Sequence, residues 1–176
     1  MVTVNDILAY METVASRYMQ YDWDNNGLLC GRRAKEVKKI LIALDPFEEV
    51  CREAKNVGAD LLLTHHPLIF SAPKAINDES DMGRAIMLLI QNDIAAVNAH
   101  TNLDCAAGGV NDVLAAKLGL ENVEIVNPVN GIGLMRCGYA KEQSLENFLS
   151  AVQENLHCDG LRYTDGGKPV RKVAVG

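Results

Sequence analysis

Apolar positions change period twice in the first half of the chain. Over residues 3–19, Ile7, Leu8, Met11, Val14, Ala15 and Tyr18 recur at three- and four-residue intervals. That spacing predicts an amphipathic helix with one inward face. Thr3 followed by Asp6 has the spacing of a capping box at its start. The run Tyr21-Asp22-Trp23-Asp24-Asn25-Asn26-Gly27 is rich in turn formers and breaks the helix. From residue 40 short apolar runs alternate with amphipathic ones, and residues 40–44, 61–63 and 94–97 are predicted strands. Between them, a helix opened by Pro46 turns Phe47, Val50 and Ala54 inward and stops at Gly58. A second helix, over about residues 81–92, turns Ile86, Leu89 and Ile90 inward. Val110, Val113, Leu114 and Leu118 mark a third, ended by Gly119. Short, continuously apolar strands separated by helices suit a largely parallel sheet covered on both faces. The expected fold class is therefore α/β, a layered, mostly parallel sheet flanked by helices.

The pattern changes after Asn127-Pro128. A strand near residues 134–140, a helix from Ser144 to about Leu156, and strands near 161–164 and 170–175 are expected. This reads as the beginning of a second, similar α/β unit, giving domains 1–128 and 129–176.

The 176 residues suffice for one sizeable domain or two small ones. Hydrophobic residues at 48% argue for a buried core and against disorder, and aromatics at 5% make that core mainly aliphatic. A net charge of −6 argues against general nucleic-acid binding, though a local pocket for one nucleotide stays open. The five cysteines are odd in number and include no C-x-x-C pair, which suits reduced thiols in the cytosol. The N-terminus lacks a basic segment followed by an apolar run, and no stretch approaches bilayer length. The expectation is a soluble, cytoplasmic protein with no membrane partner.

Three polar clusters follow predicted strands: Asp45-Pro46, Thr64-His65-His66-Pro67 and Ala99-His100-Thr101-Asn102-Leu103-Asp104. Ligands of parallel α/β sheets bind outside the carboxyl ends of the strands, and three of the four histidines lie in these clusters. Imidazole and carboxylate are the usual ligands of catalytic divalent metals. Neighbouring residues on a regular strand face opposite ways, so His65 and His66 share a site only where the strand has ended. Pro67 favours that by holding His66 in an extended loop conformation. Two adjacent histidines can then serve two ions about 3.5–4 Å apart, with Asp104 able to bridge them. Each residue also has a plainer reading. The histidines can cap strand ends, and Asp104 can be a turn or helix cap. His100 can orient Asp104 or a loop carbonyl. Gly108-Gly109-Val110-Asn111-Asp112 has the look of a glycine-opened helix start able to receive an anion, or of a tight loop.

The chain resembles the Nif-three-like dinuclear metal centre family, also known as GTP cyclohydrolase I type 2. The matching segments are Trp23-Asp24-Asn25-Asn26-Gly27-Leu28-Leu29-Cys30-Gly31, Ala43-Leu44-Asp45-Pro46, Thr64-His65-His66-Pro67-Leu68-Ile69-Phe70 and His100-Thr101-Asn102-Leu103-Asp104. Gly108-Gly109-Val110-Asn111-Asp112 and the ending Lys172-Val173-Ala174-Val175-Gly176 continue the match in order. The resemblance implies a doughnut-shaped homohexamer of similar α/β halves enclosing two divalent ions, with His65, His66 and Asp104 as ligands. It also implies opening of the guanine ring of GTP. Two departures stand out. The family supplies a further His and Glu ligand pair beyond the position of Gly176, and His157 matches neither. Leu134 stands where the family tends to have Arg. The leading expectation is a metal-dependent hydrolase acting on a small-molecule substrate, a nucleotide or related phosphorylated heterocycle, with His100 as proton shuttle. The rival is a ring-forming, metal-binding scaffold without catalysis. His plus carboxylate suits Zn, Fe, Mn, Co or Ni alike.

Overall fold

Thr3 caps the first helix through both halves of the capping box. Its hydroxyl oxygen accepts from the Asp6 N–H at 3.3 Å, and the Asp6 carboxylate accepts from the Thr3 N–H at 2.8 Å. Helix α1 spans Val4–Val14 and stops five residues short of the expected 19. Ser16 and Glu12 compete for the backbone there. The Glu12 carboxylate accepts from the Arg17 N–H at 3.0 Å, and the Ser16 hydroxyl accepts from Tyr18 N–H at 3.2 Å. A single 3-10 turn, Arg17–Met19, results, and it leaves Tyr18 exposed rather than on the inner face.

The structure, a computed structural model, describes residues 1–128 and 131–176 and divides into two compact units, Met1–Leu103 and Asp104–Gly176. In the first unit, strands β1 (Gly27–Cys30), β2 (Ile40–Ala43), β3 (Leu61–Thr64) and β4 (Ala95–Asn98) form one sheet in the order β1-β4-β3-β2. β2, β3 and β4 run parallel, and β1 runs antiparallel to β4. Helices α2 (Glu48–Asn56) and α3 (Asp81–Gln91) cover one face through Cys51, Ala54, Ile86 and Leu89, packed with Leu62 and Ala96. α1 covers the other through Val4, against Leu61, Ala95 and Val97. Leu61 and Leu62 are adjacent, fully buried and on opposite faces, which is why the central strands read as unbroken apolar runs.

Inner-face expectations also fail at helix ends and edges: Val14, the last residue of α1, is 42% exposed. Phe47 is the N-cap of α2 and is 62% exposed, because the helix starts at Glu48, two residues after Pro46. Ile90 is 61% exposed, at the edge of the stripe set by Ile86 and Leu89. β1 was not anticipated, since its four residues lie among turn formers. It ends at Cys30, and the next residue, Gly31, has a φ of +102° and an approach to the backbone of Ala95, 2.8 Å from an added Cβ, that require glycine.

In the second unit, β5 (Glu121–Ile125), β6 (Arg136–Gln143) and β7 (Val170–Val175) form an antiparallel sheet in the order β5-β6-β7. α4 (Thr101–Cys105) leads in from the first unit, α5 is Val110–Lys117 and α6 is Leu145–Leu156. Helix, β6 and β7 fall close to the expected places. The strand near 161–164 is absent, and the mostly exposed β5 carries no apolar signal that could have revealed it. α5 buries Asn111 and Ala115 rather than Val110 and Val113. Polar anchoring sets that face. Asn111 Nδ2 donates to the Leu134 carbonyl at 2.6 Å, and buried Arg136 binds Asp112 and the carbonyls of Gly133 and Cys105 at 2.8 and 3.1 Å. The Gly108 N–H, a candidate anion donor by sequence, is taken by the Asp112 carboxylate at 2.7 Å. No helix among the described residues is long and apolar enough to cross a membrane.

Candidate metal centre

Register brings the polar clusters together. Ala43, Thr64 and Asn98 are the last residues of β2, β3 and β4, with Ala43 paired to Thr64 and Thr64 to Asn98. Asp45, His65, His66 and His100 therefore leave the same sheet edge within two residues of those pairs. β1 runs the other way, and its first residue, Gly27, pairs with Asn98. The loop preceding it, with Asp24, Asn25 and Asn26, joins the same edge.

β3 ends at Thr64, so both histidines stand beyond the pleat. The Thr64 hydroxyl donates to the His66 carbonyl at 2.7 Å, and the His66 N–H donates to the Leu44 carbonyl at 2.9 Å. Those bonds turn the chain so that the two rings face one space. Ring centroids are 5.0 Å apart for His65 and His66, 5.1 Å for His65 and His100, and 5.6 Å for His66 and His100. One nitrogen from each ring lies within 4.8 Å of the others, an arrangement able to hold a metal ion.

Every ring is oriented through Nδ1. His65 Nδ1 meets the Ala99 carbonyl oxygen at 3.0 Å, His66 Nδ1 meets Asp45 Oδ1 at 2.6 Å, and His100 Nδ1 meets Asp24 Oδ1 at 2.8 Å. Carbonyl and carboxylate oxygens only accept, so Nδ1 donates in all three and the lone pair of each neutral ring sits on Nε2. Imidazole ligands of metals are oriented in this way, by an oxygen behind the ring. The donor chemistry thus fits a divalent cation of the Zn, Cu, Fe or Ni kind.

Asp24 anchors His100. Its side chain is fully buried, which by itself raises a carboxyl pKa. Hydrogen bonds from His100, the Thr101 hydroxyl, and the N–H groups of Asn25 and Thr101 outweigh that burial and hold the carboxyl below the usual carboxylate range. Asp24 is therefore a fixed anion behind the imidazole. The His100 N–H is held in turn by Asn26 Oδ1 at 3.1 Å and Asn102 Oδ1 at 2.9 Å.

Sequence reasoning found His65, His66 and His100 and the edge they share. It missed Asp24 and Asp45 as the groups that orient His100 and His66, although both lie in motifs quoted above. Asp24 looked like one turn former among several. Asp104 is the fourth residue of α4, four positions after His100, and opens the second unit. Beside the site, a cavity of about 270 Å³ is lined by Asp45, Pro46, Phe47, His66, Leu68 and Met82 among others.

Comparison with known proteins places the fold and the family. Residues 2–176 match the family described as Duf34/NIF3 (NGG1p interacting factor 3). A GTP cyclohydrolase 1 type 2 homolog of Clostridium perfringens is 40% identical over 178 residues, covering 98% of this chain and 68% of that protein. One from Listeria monocytogenes is 35% identical over 159 residues, covering 89% of this chain and 43% of that protein. The chain thus spans about two thirds of the first relative and less than half of the second. The crystal structure of a Bacillus cereus protein related to NIF3 superposes with a TM-score of 0.91 at 26% identity, covering 99% of this chain and 76% of that one. The chain belongs to the Duf34/NIF3 family.

Proposed function

We propose that the chain is a divalent-metal-dependent hydrolase acting on a nucleotide or related phosphorylated heterocycle, in the manner suggested by the GTP cyclohydrolase 1 type 2 name of its relatives. The observation that carries the reading is the convergence of three imidazoles, each with an oxygen behind its Nδ1. In this reading His65, His66 and Asp104 would hold the metal, the two imidazoles through Nε2. A bound divalent cation supplies Lewis acidity and activates water near neutral pH. The chain's own residues do the rest. Asp45 and the Ala99 carbonyl keep His66 and His65 in the ligating tautomer. His100, backed by the buried Asp24 anion, accepts a proton at Nε2 and passes it on, since the adjacent carboxylate stabilises the imidazolium that forms.

The test is GTP turnover by metal-loaded wild type and by His65→Ala, with metal content measured on both. Turnover lost together with metal in His65→Ala supports the reading. A metal-filled wild type that leaves GTP intact removes the cyclohydrolase form of it.

One observation favours a second reading, a ring-forming, metal-binding scaffold. β2 is an edge strand of its sheet, and Ile42 on it and Leu44 just after it are 73% and 61% exposed. Exposed apolar side chains on an open strand edge suit burial against another subunit of a homohexamer. Stable partner capture that survives His65→Ala, without turnover, would select this reading.

A further inference from the structure

The loop that anchors His100 also turns an aromatic surface outward. Asp24 points in and is buried, whereas its neighbour Trp23 is 56% exposed. Trp23 stacks on Tyr21 with centroids 5.7 Å apart and planes at 29°. Its other edge meets Phe70 at 6.1 Å, and both Trp23 and Phe70 stand edge-on to His100 at 6.4 Å. Phe70 is 53% exposed and sits four residues after His66. These aromatics come from two separate loops, and the loops are tied. Asn25 Nδ2 donates to the Ile69 carbonyl at 2.6 Å, and Leu68 is buried in the core. The surface is therefore preorganised.

Aromatics are only 5% of the chain, yet two large exposed ones flank a ring of the histidine group. Burial would remove their apolar area from water, and nothing in this unit does so. What fits a rigid, flat, exposed indole beside a polar reaction centre is a planar ring that stacks on it, with the polar edge of that ring directed at the imidazoles. We infer that Trp23 and Phe70 form a platform on which the planar heterocycle of the substrate stacks beside His100. The inference deepens the hydrolase reading, since it names what positions the substrate. It concerns binding, however, and stands or falls separately from turnover. Trp23 and Phe70 are positioning residues; they move no proton and hold no metal.

Trp23 is the only tryptophan in the chain, so its fluorescence reports on this surface alone. GTP, ATP and guanosine are titrated against the metal-loaded protein, with inorganic tripolyphosphate as the control lacking a ring. Saturable quenching by the ring-bearing probes, and none by tripolyphosphate, is expected. Calorimetry should show binding weakened roughly 5- to 150-fold in Trp23→Ala, from the loss of one base–aromatic stack, and largely kept in Trp23→Phe. KM should rise in Trp23→Ala, with kcat and metal content unchanged; a merely structural role, acting through Asp24 and His100, would lower kcat instead. Flat fluorescence with all three ring-bearing probes overturns the inference. So does unchanged affinity in the double variant Trp23→Ala and Phe70→Ala, or fluorescence that shifts only with protein dilution, which would mark the surface as a contact between copies. Saturable quenching without turnover keeps the platform and removes the hydrolase reading. Turnover with unchanged KM in Trp23→Ala does the reverse.

Discussion

Two carboxylates and one carbonyl decide what the three imidazoles can do. A histidine whose Nδ1 proton is held by oxygen offers its lone pair at Nε2, and Asp24, Asp45 and the Ala99 carbonyl impose that state on the whole group. Asp24→Asn keeps the shape and removes the charge, yet its amide can present a donor to His100 and reverse the tautomer. Asp45→Asn does the same to His66. Asp45→Asn is expected to weaken metal binding about 10- to 100-fold, measured by competition with a chelating dye, and Asp24→Asn to lower turnover with metal affinity kept. Wild-type affinity in Asp45→Asn together with wild-type turnover in Asp24→Asn would mean that the carboxylates are structural only. The thiols behave differently. Burial, followed by the proximity of Cys30 and Glu48, pushes the Cys51 thiol up to about 11. Cys51 is also fully buried, so it should resist alkylation at neutral pH in the native protein and react only on unfolding, as mass spectrometry of labelled peptides would show.

Among the elements, the central strands were legible because Leu61, Leu62, Ala95, Ala96 and Val97 are buried whichever way they face. Strand ends were legible for the same reason, and with them the placing of His65, His66 and His100. β1 and β5 were not legible. One is four residues set among turn formers; the other is mostly exposed and is held by pairing with β6, a non-local interaction that leaves no local pattern. The orienting aspartates were hidden likewise, because Asp24 and His100 are 76 residues apart and only the antiparallel return of β1 joins them. The inner face of α5 was misread because polar anchoring by Asn111 and Asp112 overrides the valine spacing. That anchoring is testable. Asp112 is held below the usual carboxylate range: burial raises it, but Arg136 and the Gly108 N–H outweigh that. A depressed folded pKa gives stability that is present above the unfolded value of 3.8 and is lost as pH falls through the folded one. Asp112→Asn should therefore destabilise the protein at neutral pH and lose that deficit in acid below about pH 4, seen in urea titrations at both pH values. A deficit independent of pH would contradict the ion pair. Near the N-terminus, Thr3→Ala removes the capping box and should cost about 1 kcal/mol, read from the same titrations.

For the molecule as a whole, the α/β class and the parallel sheet were readable from periodicity, and family membership from the motifs at the strand ends. The antiparallel pairing of the second sheet was not, since single-strand patterns do not encode the direction of a neighbour. Assembly belongs at this level. If the proposed homohexamer buries the open edge at β2, then Leu44→Glu should shift the protein to smaller species in sedimentation velocity without unfolding it, because Leu44 is 61% exposed in the single chain. An unchanged sedimentation profile would place the subunit contact elsewhere. Most direct of all is X-ray absorption at the zinc edge of zinc-loaded protein. Imidazole nitrogens at about 2.0–2.1 Å, with the ring-scattering signature reduced in His65→Ala and His66→Ala, are expected if these residues ligate. An all-oxygen shell, or a spectrum indifferent to those two substitutions, would contradict a metal centre built on the histidines at the sheet edge.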